Sequence, residues 1–382
     1  MHFFQPSTLQ EKLDGFDPDL PLEVARTIPR TWYGDPEIFA AECEAVFRGT
    51  WQLVGCVADL SNVGDATTAD IAGQPVIVTR AKDGIVRAMS NVCSHRANVL
   101  VEEARTNLPV IMCKYHGWNY DLAGGLRGTP QFDCEGCQYK KDEHGLAQYA
   151  VDTWGPYVFV HVGKPKLSLA EHLQPMPQMV ADAFDLSNLQ FHERREWLLD
   201  CNWKVFVDNY MDGGYHVKTV HPELAGVLDY DNYRTDLFAM SALQSSPLKQ
   251  GSLSAVRSGS VAHYWWMFPN LMFNLYEGYM DMNLVLPISP ERCKVIFDFW
   301  FAPDCPKKKR KQSVAAAEKV QQQDIDICRR VQRGLGGTSW MNGPYSSLRE
   351  PGAYLFHQLL ARQLRTLAPR ELAAQASSSA RK

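Results

Sequence analysis

The chain has 382 residues, of which 45% are hydrophobic and 21% are charged, and this ordinary balance predicts two globular domains or one large domain with an insertion. The formal net charge of −4 argues against a nucleic-acid binder or a membrane-surface protein. The sequence contains no run of about 18 apolar residues, so no membrane-spanning helix is expected. Ten scattered cysteines without a visible secretory signal indicate reduced thiols and metal ligands rather than a disulfide scaffold.

The patterning divides the chain into residues 1–50, 51–164 and 165–382. In the first region, Tyr33-Gly34-Asp35 predicts a turn that leads into a helix over 35–47. In the second, predicted strands over 75–80 and 85–91 flank Asp83-Gly84, which is a strong hairpin signal.

Further along the chain the pattern alternates between strands and helices. Strands are predicted over 157–162, 271–275 and 295–301, and helices over 202–215 and 314–333. The sequence therefore predicts an α+β protein in which an all-β domain is set into a second domain.

A first metal site is predicted where Cys93 and His95 are followed by Cys113 and His116. Two thiolates suit one iron of a [2Fe–2S] cluster and two imidazoles suit the other, which is Rieske ligation. The alternative is a zinc site, but zinc fingers usually pair Cys with Cys and His with His along the sequence. A second pair, Cys134 and Cys137, has no matching partner pair and is interpreted as two loop cysteines.

A second metal site is predicted at His216 and His221. Five residues apart, they lie about 140° apart on an ideal helix, so they converge only if the helix ends between them. Gly213-Gly214 and Pro222 provide such an ending. Two imidazoles and one carboxylate form the facial triad of non-haem Fe(II) oxygenases.

The predicted helix over 314–333 supplies the carboxylate. Asp324 shares a face with apolar residues at helical spacing, namely Val320, Ile327, Cys328 and Val331. An acid within an apolar stripe is costly unless it binds something. Asp326 lies on the opposite face, where it can pair with Arg330 in solvent. Asp324 is therefore the predicted third ligand of a mononuclear Fe(II).

The sequence resembles the alpha subunits of Rieske non-haem iron oxygenases, the aromatic-ring-hydroxylating family, over nearly its whole length. Within that family it is most similar to choline monooxygenases and their quaternary-ammonium relatives. Besides the two metal motifs, the similar stretches are residues 28–33, 202–206, 208–216 and 331–335. The resemblance implies a Rieske domain inserted in a helix-grip (START-like) catalytic domain, with one [2Fe–2S] cluster and one mononuclear Fe(II) per subunit. It also implies a homotrimer, supplied with electrons by a ferredoxin or a reductase, in which electrons pass from one subunit's cluster to the next subunit's iron.

Two further site residues follow from the resemblance. Asn209, seven residues before His216, matches a position near the iron in relatives. Many relatives carry a bridging acid three residues before the first iron histidine, where this chain has Gly213. Either Asp212 bridges the two metal sites after a local shift, or another group such as Asp208 does so.

The expected reaction is the oxidation of choline to betaine aldehyde hydrate, in glycine betaine synthesis. Alternatives are oxidative N-demethylation of a betaine or carnitine, aromatic-ring dihydroxylation, and a Rieske electron carrier without oxygenase activity. Aromatic residues suit a cation–π cage for a quaternary ammonium or, equally, a strand core: His263, Tyr264, Trp265, Trp266, Phe268, Phe273, Tyr276 and Tyr279. The enzyme is expected in the cytoplasm, or in the chloroplast stroma if a transit peptide is missing from this chain.

Overall fold

The computed structural model describes residues 8–132, 139–249 and 259–367, and the chain divides into two compact units. The inserted unit is Phe47–His172, and the outer unit combines Met1–Val46 with Leu173–Lys382. The divisions lie at 46/47 and 172/173, whereas the sequence pattern placed them at 50/51 and 164/165. Cys134 and Cys137 lie outside the described residues.

The inserted unit is built on two antiparallel sheets. The larger has the strand order β1-β9-β8-β4-β3-β2 and the smaller has the order β5-β6-β7. The strands are β1 (Gln52–Cys56), β2 (Ala66–Ile71), β3 (Gln74–Arg80), β4 (Val86–Ser90), β5 (Ile111–Met112), β6 (Asn119–Tyr120), β7 (Leu126–Gly128), β8 (Gln148–Trp154) and β9 (Tyr157–His161). Short 3₁₀ helices occur at Val57–Leu60 and Lys141–His144.

The β3–β4 hairpin confirms the prediction made from Asp83-Gly84. Gly84 has a φ of +80°, a left-handed conformation that glycine adopts without a steric penalty. The Asp83 carboxylate accepts a hydrogen bond from the N–H of Ile85 at 3.1 Å and pairs with Arg87 at 2.7 Å. Turn chemistry and strand pairing therefore agree locally.

The outer unit contains one seven-stranded antiparallel sheet in the order β10-β16-β15-β14-β13-β12-β11. Its strands are β10 (Gln190–Leu199), β11 (Arg234–Leu237), β12 (Ser241–Pro247), β13 (Val261–Met267), β14 (Leu271–Tyr276), β15 (Tyr279–Ser289) and β16 (Arg292–Phe301). The α-helices of the described chain are α1 (Leu9–Leu13), α2 (Pro36–Ala41), α3 (Leu169–Leu173), α4 (Met176–Ala183), α5 (Trp203–Met211), α6 (Val217–Val220), α7 (Pro222–Ala225), α8 (Lys307–Leu335) and α9 (Pro351–Leu364). Other short helical segments are the 3₁₀ helices Arg30–Tyr33 and Tyr230–Asn232 and the π-helix Glu42–Phe47.

Two predicted helix bounds were wrong for opposite reasons. Helix α5 ends at Met211 rather than at residue 215, because Gly213 and Gly214 adopt φ values of +67° and +68°, which no α-helix accommodates. Helix α8 begins at Lys307 rather than at residue 314. Its first turns are the basic run 307–311, and lysine and arginine are good helix formers even where no apolar periodicity marks the helix.

A buried ion pair fixes the start of α5. Glu42 and Lys204 are both fully buried, and their charged atoms lie 2.5 Å apart. The indole of Trp203 donates a second hydrogen bond to Glu42 at 2.7 Å. Burial raises the pKa of Glu42 and lowers the pKa of Lys204, and the ion pair opposes both shifts. Removing either partner would leave the other charge buried and unpaired, which typically lowers the free energy of unfolding by about 3–5 kcal/mol.

These observations confirm the predicted α+β class. The smaller all-β unit is an insertion, and the larger unit packs α5 against an antiparallel sheet and α8 against α5. Among the described helices, none combines the length and the apolar composition needed to cross a bilayer.

Candidate active site

Two loops of matching shape carry the predicted cluster ligands. Each loop begins with a cysteine, Cys93 or Cys113, whose carbonyl accepts the N–H of the residue four positions later at 3.0 Å. Those later residues, Ala97 and Gly117, have φ values of +54° and +75°. The left-handed residue turns the chain back, so each loop presents one thiol and one imidazole from a tight turn.

The four side chains of these loops form a donor set that suits a [2Fe–2S] cluster. Both thiols are buried, His95 is half-buried and His116 is exposed. The two imidazole rings lie 4.7 Å apart between centroids. The Nδ1 atom of His95 is buried and has no hydrogen-bond partner among the described residues. An orphaned imidazole nitrogen in a set that also includes two buried thiols is the arrangement that a bound metal would satisfy.

Aromatic residues surround this donor set. Trp118 stacks on His95 with ring centroids 4.7 Å apart and planes 8° apart. The hydroxyl of Tyr120 lies 3.3 Å from Sγ of Cys93 and accepts the N–H of Ser94 at 3.1 Å. Sequence reasoning missed Tyr120. Its position four residues after His116 was the only feature of the sequence that could have indicated it.

The second site forms where α5 ends. His216 is the N-cap of α6, and His221 is shared between the end of α6 and the start of α7, which Pro222 opens. The two glycines turn the chain after α5, and α6 ends at Val220, so a helix does end between the two histidines as predicted. The short helix α6 then brings the rings to 4.9 Å between centroids.

Three potential ligand atoms converge at this point. The Nε2 atoms of His216 and His221 lie 3.7 Å and 2.9 Å from Oδ1 of Asp324. All the ligand atoms of the three residues lie within 4.8 Å of one another. Two imidazole nitrogens and one carboxylate oxygen at this spacing suit one divalent iron with open coordination positions.

Each of these three residues is held by an outer partner. The Nδ1 atom of His216 lies 2.6 Å from the carboxylate of Asp212, and Nδ1 of His221 lies 2.7 Å from the Gln323 side-chain oxygen. Asn209 donates a hydrogen bond to Oδ1 of Asp324 at 2.8 Å. Such contacts orient the rings so that Nε2 faces the metal position.

The charges around His216 favour its imidazole as a strong metal ligand. Burial acts to lower the pKa of His216, but the hydrogen bond and charge of Asp212, together with the charge of Asp324, raise it overall. A more basic imidazole is a stronger metal ligand. Gln323 was missed by sequence reasoning, because a polar residue next to a predicted ligand on a helix is unremarkable.

The missing acid at position 213 has a steric explanation. A Cβ built on Gly213 would lie 1.7 Å from the carbonyl oxygen of Arg349, so this backbone admits only glycine there. Asp212 instead caps the turn, accepting the N–H of His216 at 3.0 Å in addition to its ring contact. Asp208 lies elsewhere, paired with Tyr33 at 2.5 Å and His357 at 2.9 Å.

The two candidate acids of α8 differ as the helical-face argument predicted. Asp324 is buried at the metal position, whereas Asp326 is exposed. Asp326 accepts a hydrogen bond from Gln322 at 3.2 Å, in place of the predicted pair with Arg330. The predicted apolar stripe holds at Cys328 but not at Val331, which is 45% exposed.

A cavity extends from the three converging ligands into the outer unit. Helix α8 lines it with residues at helical spacing, from Ser313 through Ala317 to Asp324, and the sheet forms the opposite wall. One cross-strand row of that wall consists of Gln244, Tyr264, Asn274 and Asp281, directly paired from β12 to β15. Five tyrosines contribute to the lining: Tyr210, Tyr233, Tyr264, Tyr276 and Tyr279.

Two family models match the chain, and each matches residues of a different unit. Residues 50–150 match the Rieske [2Fe-2S] domain, and residues 186–366 match the ring hydroxylating alpha subunit (catalytic domain). The chain is also 35% identical to the chloroplastic choline monooxygenase of Arabidopsis thaliana over 95% of this chain and 88% of that protein. The chain belongs to the Rieske oxygenase alpha-subunit family.

Two further relatives of this Rieske oxygenase have names that refer to carnitine or to quaternary ammonium compounds. The carnitine monooxygenase oxygenase subunit of Escherichia coli (strain K12) is 27% identical over 88% of this chain and 93% of that protein. The quaternary ammonium Rieske monooxygenase CntA, solved in complex with L-carnitine, superposes with a TM-score of 0.79 at 25% identity over 91% of this chain and 99% of that one.

Membership of this family confirms the predicted enzyme class and cofactors. The protein is an oxidoreductase of the Rieske monooxygenase type, with a [2Fe–2S] cluster and a mononuclear iron, and it takes electrons from a ferredoxin or reductase. The donor sets described above fit both groups, one in each unit.

The aromatic residues predicted as a cage fall into two groups, one that lines the cavity and one that lies in the core. Tyr264, Tyr276 and Tyr279 line the cavity of this Rieske oxygenase. The remaining large rings, including Trp265 and Trp266, are fully buried in packing contacts, as the alternative interpretation held. The core interpretation is therefore confirmed for the buried tryptophans, and the cage stays a prediction for the three tyrosines of the cavity.

Proposed function

We propose that this enzyme is a ferredoxin-dependent monooxygenase that oxidises the carbinol carbon of choline and yields betaine aldehyde hydrate. The balanced reaction consumes one O₂, two electrons and two protons and releases one water. The observation that carries the proposal is the cavity wall: five tyrosines line the cavity that contains His216, His221 and Asp324. No lysine or arginine is present among the described residues that line it.

A trimethylammonium group carries a positive charge but has no N–H to donate. Sites that bind it therefore use aromatic faces, where a desolvated cation–π contact contributes about 2 kcal/mol or more. Tyr276 stacks on Tyr279 with centroids 5.4 Å apart and meets the edge of Tyr264 at 6.1 Å. Burial raises the pKa of Tyr210 and Tyr233 well above the usual range, so these phenols stay neutral at physiological pH.

The same wall favours choline over zwitterionic quaternary ammonium compounds. Carnitine and glycine betaine carry a carboxylate, which proteins usually bind with arginine or lysine. Neither is found among the lining residues that the structure describes, whereas the tyrosines, amides and serine of the lining suit the neutral hydroxyl of choline. The second candidate function is oxidative attack on a betaine or carnitine, which the similarity to the carnitine monooxygenase oxygenase subunit favours.

The residues that would hold the cofactors follow from the geometry. Cys93, His95, Cys113 and His116 are the proposed cluster ligands, and His216, His221 and Asp324 are the proposed ligands of Fe(II). When bound, the cluster supplies single electrons and the iron supplies dioxygen activation.

The surrounding residues would position the ligands and substrate. Asn209 holds the Asp324 carboxylate in place, and Asp212 keeps the Nδ1 proton of His216 so that Nε2 can face the iron. We propose that Asp212 is also the acid that couples the two metal sites, between adjacent subunits of a homotrimer. Inter-subunit electron transfer is described for the relative whose structure matches with a TM-score of 0.82.

The test is oxygen uptake coupled to product analysis with one ferredoxin system and four compounds. Choline should be turned over, whereas glycine betaine, carnitine and the neutral isostere 3,3-dimethylbutanol should be poor substrates. Preferential turnover of carnitine or glycine betaine would support the second candidate instead. Equal turnover of choline and the neutral isostere would contradict a cation-binding cavity.

A further inference from the structure

Gln321 is a buried polar side chain in the wall of the catalytic cavity. It is 1% exposed and lies on α8, three residues before Asp324. Ser313, Ala317 and Gln321 follow one another at a spacing of four residues, which keeps them on one face of the helix. All of them line the cavity together with Asp324. Gln321 therefore shares the cavity-facing side of α8 with the proposed iron ligand.

The amide nitrogen of Gln321 is buried and has no hydrogen-bond partner among the residues that the structure describes. A glutamine amide offers two N–H donors and one carbonyl acceptor. Buried polar groups are nearly always hydrogen-bonded, because an unpaired one costs free energy on folding. A leucine of similar size would fill this position without that cost. The amide is therefore better explained by a molecule that enters the cavity than by packing.

The other amide side chains of the described lining differ from Gln321 in this respect. Asn209 donates to Asp324 at 2.8 Å, and Gln244 donates to the carbonyl of Tyr210 at 2.7 Å. The two remaining amides both donate to Asp281, at 2.7 and 2.8 Å: Asn274 and Asn283. These four amides are held by acceptors of the protein, so Gln321 is the amide of the described lining that has an N–H left for a ligand.

The position of Gln321 on α8 relates it to the reacting end of the substrate. Three residues along an α-helix correspond to about 4.5 Å along its axis, so Gln321 lies one turn from the carboxylate of Asp324. In choline the hydroxyl oxygen is bonded directly to the carbinol carbon. A choline molecule whose carbinol carbon faces the three converging ligands therefore brings its hydroxyl oxygen close to this turn of the helix.

We propose that the side-chain amide of Gln321 donates a hydrogen bond to the hydroxyl oxygen of the substrate and thereby selects quaternary ammonium compounds with a 2-hydroxyethyl arm. The inference rests on the proposed function, since it assumes that the carbinol carbon faces the iron position. Holding the oxygen at Gln321 fixes the direction of the carbinol C–H bonds. A compound without the hydroxyl would leave the buried amide unpaired and would bind more weakly for that reason.

The competing explanation is that Gln321 only fills space or contacts water. Gln321→Leu separates the two explanations, because leucine keeps most of the volume and removes the N–H donor. The matched control is Gln322→Leu, the same substitution one residue along α8. Gln322 is exposed, donates to Asp326 at 3.2 Å and is not part of the cavity lining.

The experiment is calorimetric titration of the anaerobic holoenzyme, without electron donor, with choline and with ethyltrimethylammonium. The second compound keeps the cationic head and the chain length but lacks the hydroxyl. The wild-type enzyme should bind choline roughly three- to tenfold more tightly, the equivalent of one hydrogen bond. Gln321→Leu should bind the two compounds equally, through a loss of choline affinity alone. Gln322→Leu should keep the wild-type ratio of the two affinities.

Three outcomes would overturn the inference. Two concern a folded Gln321→Leu enzyme that retains the cluster spectrum and its iron: an unchanged ratio of the two affinities, or an equal loss of affinity for both compounds. The third needs no variant, namely wild-type enzyme that binds ethyltrimethylammonium as tightly as choline. Choline binding that depends on Gln321 without choline oxidation would support this inference and contradict the proposed reaction. Choline oxidation with an unchanged ratio would contradict this inference alone, so the two failures are distinguishable.

Discussion

The loops around Cys93 and Cys113 and the cavity around Asp324 are assembled in different ways. The cluster ligands come from two tight turns of one pattern, each closed by its own backbone hydrogen bonds. The mononuclear site joins a broken helix to a residue 103 positions away on α8. Its substrate-facing wall adds a third distant element, a row across four strands.

The difference shows where function can be deduced from local sequence. A turn fixes its ligands through spacing and a left-handed residue, so alternating Cys and His are informative by themselves. A cavity depends on strand register and helix packing, which local pattern leaves undetermined. Variants that disturb one region and spare the other test this division.

Asp324→Ala should have the largest effect, namely turnover reduced to background with the cluster spectrum intact. The variant removes one of three converging ligand atoms and leaves both histidines without their carboxylate partner. Iron content and oxygen uptake are the measurements. Asp326→Ala is the control from the exposed face and should resemble wild type; exchanged behaviour would contradict the helical-face assignment.

Asp212→Asn should retain both metals but slow electron transfer from the cluster to the iron by about tenfold or more, the scale expected for a charged partner of a metal ligand. The substitution removes the charge 2.6 Å from Nδ1 of His216. Single-turnover absorbance of the cluster measures the rate. Asp208→Asn, which alters the separate pair with Tyr33 and His357, should not slow it, and the reverse result would reassign the bridge.

Gln323→Leu should weaken iron retention by roughly tenfold, because it removes the acceptor that orients Nδ1 of His221. The measurement is the rate of iron loss to a chelator, which does not depend on substrate. Gln322→Leu is the neighbouring control, since Gln322 contacts only the exposed Asp326 among the hydrogen bonds described. Equal iron loss in both variants would indicate general destabilisation of α8.

Tyr120→Phe should have the smallest effect, lowering the reduction potential of the cluster by roughly 20–60 mV, the equivalent of one hydrogen bond. Its hydroxyl lies 3.3 Å from Sγ of Cys93, and hydrogen bonds to cluster sulfurs raise the potential. Redox titration of the cluster provides the value. Tyr139→Phe, on a ring that packs against Trp118, should leave the potential unchanged.

Local chemistry predicted much of the fold. The Asp83-Gly84 turn, the π-helical continuation of α2 to residue 47 and the strand ending in Phe301 all lie within predicted elements. The end of α5 was misplaced because the sequence shows that Gly213-Gly214 weakens a helix but not that Arg349 packs against it. That contact joins residues far apart in the chain, and no periodicity reports it.

The parts of the candidate site that depend on local sequence were predicted, and the parts that depend on contacts between distant residues were not. All seven proposed metal ligands were named from motif spacing and helical faces, and the structure brings together the two cluster imidazoles and the three residues of the iron site. Gln323 was missed, because its importance depends on the His221 ring that faces it.

The central claim is that one cavity holds choline with its carbinol carbon toward the iron and its ammonium group among the tyrosines. The most direct test is turnover of choline carrying two deuterium atoms on the carbinol carbon, followed by mass spectrometry of the products. We expect betaine aldehyde that has lost one deuterium and kept all three N-methyl groups. Formaldehyde together with a dideuterated, N-demethylated product would place a methyl group at the iron instead and contradict the claim.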